Sequence, residues 1–289
     1  MLEAKKTKFS LIMATVGRIE QPRRFLASLD LQTYQDFELI IVDQNPGNEL
    51  DGVVQPYLGK FPILHLRTAR RGAARARNIG LRHIANNVVG FPDDDCWYQP
   101  DFLERISDFF VQHPEQDGLT GWPVDENSIS LPQHKISGPC SITKKNAWGQ
   151  GKGLLYCIFL RSSVVAGIGS FDDTLGVGAG TPWGAGEETD YLLRALDAGF
   201  KIYHDPTIQV HHPRKAQLYD ADALARAYSY GVGLGRVLRK HRYPLWFIFF
   251  KSAQTIVIAC LAISRGDLGR FRFYWARLRG RIFGWLQPL

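Results

Sequence analysis

Apolar residues in this chain gather in short continuous runs, separated by helix-length stretches of mixed polarity. "KFSLIMAT", which runs up to the turn at Gly17, fits a buried strand. "QPRRFLASLDLQ" follows, with Phe25, Leu26 and Leu29 near helical spacing and Pro22 early, where a first helical turn tolerates proline. "FELIIVD", "FPILHLR" and "NVVGF" read as three further buried strands, with the helix "GAARARNIGLRHI" before the last of them and another from Pro100 to Gln112 after it. Strands alternating with helices predict an α/β fold on a parallel sheet. In open sheets of that kind ligands bind beyond the carboxyl ends of the strands. Three polar clusters, Thr15 to Arg18, Asp43 to Asn45 and Asp93 to Asp95, fall at three such ends.

Further along, residues 122–153 are rich in Pro, Gly, Ser and Lys and read as a long loop or flap. "LLYCIFLR" resumes strand character, and "SSVVAGIGSFDDTL" reads as a short helix and turn. A glycine-rich stretch, "GVGAGTPWGAGEETD", leads into the helix "EETDYLLRALDAG", closed by Gly199 as its C-cap. "KIYHDPTIQVHHP" is a final strand. The glycines of "YGVGLGR" faintly resemble a dinucleotide fingerprint, but no strand precedes them; close helix packing is the better account.

With 45% hydrophobic and 22% charged residues, the composition is that of a globular protein with a real core. No signal-peptide pattern or CxxC pair is present, and Cys96, Cys140, Cys157 and Cys260 are expected to be free thiols in a reducing cytosol. The net charge of +7 is uneven: from Arg236 onward eleven Lys/Arg face the single acid Asp267. A basic tail on a mildly acidic body predicts an anionic partner surface, either nucleic acid or a membrane.

Six motifs in order carry a family resemblance: "ATVGR", "IIVDQNPG", "RGAARARNIGL", "FPDDD", "LGVGAGTPWGAGEETDYLLRAL" and "DPTIQVHHP". From about Phe9 to Pro213 the chain resembles the family 2 glycosyltransferases of the GT-A fold. The resemblance implies a mostly parallel central sheet flanked by helices in residues 1–215, with a nucleotide-binding half to about residue 96 and an acceptor half from 97 to 215. Residues 216–289 would form a helical tail. It also implies an inverting enzyme that uses a nucleotide-diphosphate sugar, a UDP-sugar above all, and Mg²⁺ or Mn²⁺.

By that resemblance Asp93 contacts the nucleotide, Asp95 binds the metal, and Asp94 between them points the other way and matters less. An exposed acidic turn capping the next helix is the plain alternative. Asp43 is expected to accept an imide N–H of the base, unless it merely forms the turn before Asn-Pro-Gly. Thr15 and Arg18 are weaker candidates for the same pocket. Arg77 is expected near the aspartates, either contacting the donor or holding Asp93 or Asp95 in place, while Arg75 is expected in solvent. Glu188 stands where the family more often has Asp as catalytic base; its extra methylene changes the reach by roughly 1.5 Å, so Glu187 and Asp190 remain alternatives. Trp183 can serve acceptor stacking or packing equally. His212 aligns with the family's metal-binding histidine; strand alternation sends His211 and His212 to opposite faces, so at most one reaches the metal, with His211 as the alternative and a structural histidine as the plain reading.

In the tail, "YPLWFIFFKSAQTIVIACLAIS" is nearly long enough to span a bilayer, but Lys251 and Gln254 lie close to one face, as in an interfacial segment. "RGDLGRFRFYWARLRGRIFGWL" then mixes arginines with aromatics, which suits anionic headgroups. A membrane surface is favoured over RNA, which the apolar run opposes; a packed helical subdomain or an oligomer interface is the alternative. These readings predict transfer of a sugar to a glycan or lipid-linked acceptor at the cytoplasmic face of the inner or plasma membrane. A nucleotidyltransferase would need a glycine-rich loop with a lysine after the first strand, which "ATVGRIEQ" lacks. A non-catalytic sugar-nucleotide or nucleic-acid binding module is the remaining rival.

Overall fold

The computed structural model describes residues 7–125, 138–148, 154–213 and 218–288. The order of elements is β1 Phe9–Thr15, α1 Glu20–Asp30, β2 Phe37–Asp43, α2 Asp51–Val54, β3 Ile63–Arg67, α3 Ala73–Leu81, β4 Val88–Gly90 and α4 Phe102–Gln112. Then come β5 Gly118–Val124, β6 Cys140–Ser141, β7 Ile158–Arg161, α5 Ser162–Ile168, α6 Glu187–Asp197 and β8 Ile202–His211. Three long helices close the chain: α7 Ala221–Lys240, α8 Leu245–Ser264 and α9 Leu268–Leu286.

The chain divides into two compact units, the first comprising Met1–Arg71, Ala76–Ser170 and Tyr191–Arg214. It holds one sheet of order β3-β2-β1-β4-β7-β5-β8-β6. Strands β3, β2, β1 and β4 run parallel, as expected, but β7 is antiparallel to both β4 and β5, and β6 to β8. Alternation sets the core: Phe9, Leu11 and Met13 of β1 pack with Phe25, Leu26 and Leu29 of α1 and with Phe102, Leu103 and Ile106 of α4. On the opposite side Gly80 of α3 comes so close to Ile12 that a Cβ there would overlap the isoleucine side chain.

One central strand lacks a sequence signal. β5, "GLTGWPV", contains two glycines and a proline, yet all its residues are buried between β7 and β8. A Cβ at Gly118 would meet Leu160 and Ile202 at 2.6 and 2.7 Å, so close packing rather than apolarity selects the residue. The expected flap therefore begins inside a strand, and most of residues 122–153 lies outside the described residues.

The second unit is Gly72–Arg75, Phe171–Asp190 and Lys215–Leu289. This differs from the expected boundary near residue 215, because the glycine-rich segment 171–190 groups with the C-terminal helices. The reason lies in α7. A Cβ at Gly233 would fall on the Ala185 carbonyl, Gly184 N donates to Ser229 O, and the Arg236 guanidinium lies 4.4 Å over the Trp183 ring. The other face of α7 meets α9 backbone to backbone: Cβ atoms at Gly231, Gly235, Gly280 and Gly284 would all land on carbonyls of the facing helix. The glycines of "YGVGLGR" thus serve helix packing. Asp220 and Asp267 cap α7 and α9, accepting from Ala223 N at 2.7 Å and Arg270 N at 2.8 Å.

Candidate functional site

In the first unit, the ends of β1, β2, β4 and β8 bring most of the candidate residues together. Thr15, the last residue of β1, donates its hydroxyl to Asp94 Oδ2 at 2.7 Å. Arg18 bridges two aspartates, bonding Asp94 and lying 2.8 Å from Asp95 Oδ2. Arg77 of α3 donates to Asp93 Oδ1 at 3.0 Å. Of the three acids Asp93 is the most open, its side chain 32% exposed against 7% and 4% for Asp94 and Asp95.

Asp94 therefore departs from expectation. Rather than pointing away as a bystander, it is buried and ties the β1 end to the acidic turn. Burial pushes its carboxyl above the ordinary range, and the Thr15 hydrogen bond and Arg18 charge pull it back.

His212, just past β8, sets Nε2 3.1 Å from Asp95 Oδ1. Its other nitrogen lies 3.1 Å from the Pro213 carbonyl, and Tyr156 stacks on the ring at 4.9 Å. In the tautomer that carries its proton on Nδ1, the Pro213 carbonyl accepts that N–H and Nε2 is left as a ligand atom on the side of Asp95. One carboxylate and one imidazole lone pair fit a divalent cation that keeps positions open for phosphate oxygens. Cys96 completes the cluster geometrically, and burial, with Asp93 and Cys157 adding to it, pushes its thiol well above the ordinary value. His211 has another task. It is buried and stacked on Trp97 at 3.6 Å, with its ring beside Gln99 and the Asp125 carbonyl, and burial lowers its pKa.

Asp43 also differs from expectation. It is fully buried, its Oδ1 accepts from Asn45 N at 2.9 Å and Nδ2 at 2.8 Å, and His65 Nε2 lies 3.1 Å from Oδ2. These contacts take up most of the carboxylate's lone-pair sites, and none of its surface is exposed. Instead Asp43 orients the loop after β2, where a cavity of about 590 Å³ is lined by Gln44, Asn45, Arg67, Thr68 and Arg71 among others. Neither His65 nor Tyr156 carries a motif that sequence reading could have caught.

The second unit holds the acids at the start of α6. Asp190 is fully buried between Lys240 Nζ at 2.8 Å and His241 Nε2 at 2.9 Å. Glu187 is buried too, with its carboxyl close to Gly176, whereas Glu188 is half-exposed. Arg75, expected in solvent, lies 3.4 Å from Asp173.

The family model for glycosyl transferase family 2 matches residues 10–160, just over half of the chain. An uncharacterized glycosyltransferase of Haemophilus influenzae is 34% identical over 106 residues, 36% of this chain and 35% of that protein. The glucosyl-dolichyl phosphate glucuronosyltransferase of Haloferax volcanii is 29% identical over 123 residues, 41% of this chain and 39% of that one. The chain thus matches well under half the length of either relative. Among solved structures, S. aureus TarS 1-349 in complex with UDP-GlcNAc matches 95% of this chain and 92% of its own at a TM-score of 0.59 and 15% identity. The mannosyltransferase PcManGT of Pyrobaculum calidifontis, in complex with GDP-Man and Mn²⁺, matches 96% and 87% at 0.62 and 12%. At such identities the likeness is one of fold.

Proposed function

Since the chain belongs to glycosyl transferase family 2, we propose that it is an inverting, metal-dependent glycosyltransferase of polysaccharide or glycolipid synthesis. It moves a sugar from a nucleotide-diphosphate donor, a UDP-sugar first among candidates, to a hydroxyl of a glycan or lipid-linked acceptor. The observation that carries the reading is the pairing of Asp95 and His212, 3.1 Å apart. The UDP-GlcNAc and the GDP-Man with Mn²⁺ named for the two structural neighbours support the donor class and the metal. The dolichyl phosphate in the name of the Haloferax volcanii relative supports a lipid-linked acceptor.

Asp95 and His212 would hold Mg²⁺ or Mn²⁺, which neutralises charge on the departing diphosphate. Arg77 fixes Asp93 toward the donor, and Thr15, Arg18 and Asp94 fix the β1 end beside it. Asp43 supports the loop that meets the base. Glu188 takes the proton of the acceptor hydroxyl. That oxygen attacks the anomeric carbon on the face opposite the diphosphate, so the new C–O bond forms as the bond to phosphate breaks, with inversion.

A panel of nucleotide sugars, each with and without Mn²⁺, tests the reading by thermal stabilisation of the full chain. A metal-dependent rise with at least one donor, lost in Asp95→Ala, is expected. If no nucleotide sugar raises the melting temperature of the wild type, the donor assignment fails.

A further inference from the structure

Helix α8 is built inside out for a water-soluble bundle. The residues it buries are mostly small or polar, Ser252, Thr255, Ala259 and Ala262, with Phe247 and Ile248 at one end. The large apolar ones face outward: Trp246 is 64% exposed, Phe249 69%, Val257 57% and Leu261 50%. At helical spacing these fall in one arc, with Gln254 at its margin on the side of Lys251. An ordinary amphipathic helix does the reverse, and an exposed apolar face of this kind marks an interaction surface.

Helix α9 adds an independent sign. Leu268, Arg272, Trp275, Arg279, Ile282 and Leu286 recur every three or four residues, and all are exposed. The stripe alternates apolar side chains with arginine and carries no acid. Arg242 and Arg265, both exposed, flank the two ends of α8. The one acid among these helices from Arg236 onward, Asp267, is spent capping α9. Guanidinium groups beside outward Trp, Phe and Leu match a layer of anionic headgroups over acyl chains.

We infer that α8 lies in the plane of an anionic lipid surface, with the arc around Trp246, Phe249, Val257 and Leu261 immersed, rather than crossing the bilayer. By length and mean hydropathy, 1.8 over the helix, α8 passes as a span. Its neighbours exclude that. Arg281 of α9 donates to the Lys251 carbonyl at 2.7 Å and the Thr255 hydroxyl at 3.1 Å, so the two helices form a hairpin. Gly231 and Gly235 of α7 meet α9 near Arg277 and Arg281 respectively, a parallel pairing in direct backbone contact. A spanning α8 would drag α9 into hydrocarbon with Arg270, Arg272, Arg277, Arg279 and Arg281, and charged side chains at the bilayer centre are strongly disfavoured. In-plane seating submerges only the outer arc and leaves the arginines at headgroup level.

The inference rests on the second unit alone and stands or falls independently of the sugar-transfer reading. Full-length protein is mixed with sealed vesicles of phosphatidylcholine, with or without about one quarter phosphatidylglycerol. Sedimentation with the anionic vesicles is expected, weakened about tenfold or more in the doubly substituted Phe249→Glu, Phe250→Glu protein, with a circular-dichroism melt to check that the variant folds. Cys260, exposed on the same arc, should lose reactivity toward an impermeant maleimide when anionic vesicles are added, while Cys140 keeps its own. An Arg265→Cys variant, in the exposed turn after α8 and off that arc, should label from outside the vesicles without permeabilisation. Labelling there only after permeabilisation would show a span and overturn the proposal. So would absence of vesicle binding, or a Cys260 already shielded in buffer by self-association that vesicles leave intact.

Discussion

Lys240, the last residue of α7, places its ammonium group 2.8 Å from the buried carboxylate of Asp190 in the first turn of α6, and 2.7 Å from Asp172. His241 closes on the same Asp190 oxygen at 2.9 Å. Two cationic or proton-donating groups on one buried acid give it a structural task, whereas Glu188, the proposed base, is half-exposed.

Asp190→Ala should therefore cost stability first, about 3 kcal/mol or more for removing one side of a buried ion pair, read as a lowered urea midpoint. Glu188→Gln should leave that midpoint unchanged and slow sugar transfer by roughly a hundred- to ten-thousand-fold, the range a general base supplies. Equal activity losses at unchanged stability in both variants would reverse the assignment.

Arg18 is the cation that bridges Asp94 and Asp95. Arg18→Gln leaves two buried carboxylates with less compensation and should lower metal-free stability by about 1–3 kcal/mol. Added Mn²⁺ should recover part of that loss, so calorimetry with and without metal should show a larger metal-induced shift in the variant than in the wild type.

Asp43→Ala removes the acceptor that orients Asn45 and faces His65. A loss of about 1–3 kcal/mol is expected from the groups left unsatisfied, together with a raised KM for the nucleotide sugar and little change in kcat. If Asp43 touched the base directly, His65→Ala would leave KM alone; on the geometry described, it should raise KM as well.

Gly284→Ala would press a methyl group onto the Val232 carbonyl where α7 and α9 meet. A cost of about 1–3 kcal/mol is expected for such overpacking. Gly52→Ala, in the first turn of α2 with open space around it, serves as the opposite case and should be neutral or stabilising by up to about 1 kcal/mol. Thermal melts of the two variants check the contrast.

Sequence alone determined the elements whose periodicity is strong and the order of the polar clusters at their ends. The runs at Phe9–Thr15 and Phe37–Asp43 and the helix between Pro100 and Gln112 needed nothing else, because burial on both faces of a strand writes a continuous apolar run and burial of one helix face a period of 3.6. The motif order also identified the family. Tertiary structure decided what local pattern cannot encode. Strand β5 is a strand because Leu160 and Ile202 leave no room for a side chain at Gly118. Asp94 is a tie rather than a bystander because Thr15, 79 residues away in sequence, comes within hydrogen-bond reach of it. Likewise Asp43 turned out sealed and Asp190 buried against Lys240, since a carboxylate's role depends on which distant groups fold against it. The tail's apolar helix was legible as apolar, but only its pairing with the arginine-bearing α9 separates lying on a membrane from crossing one.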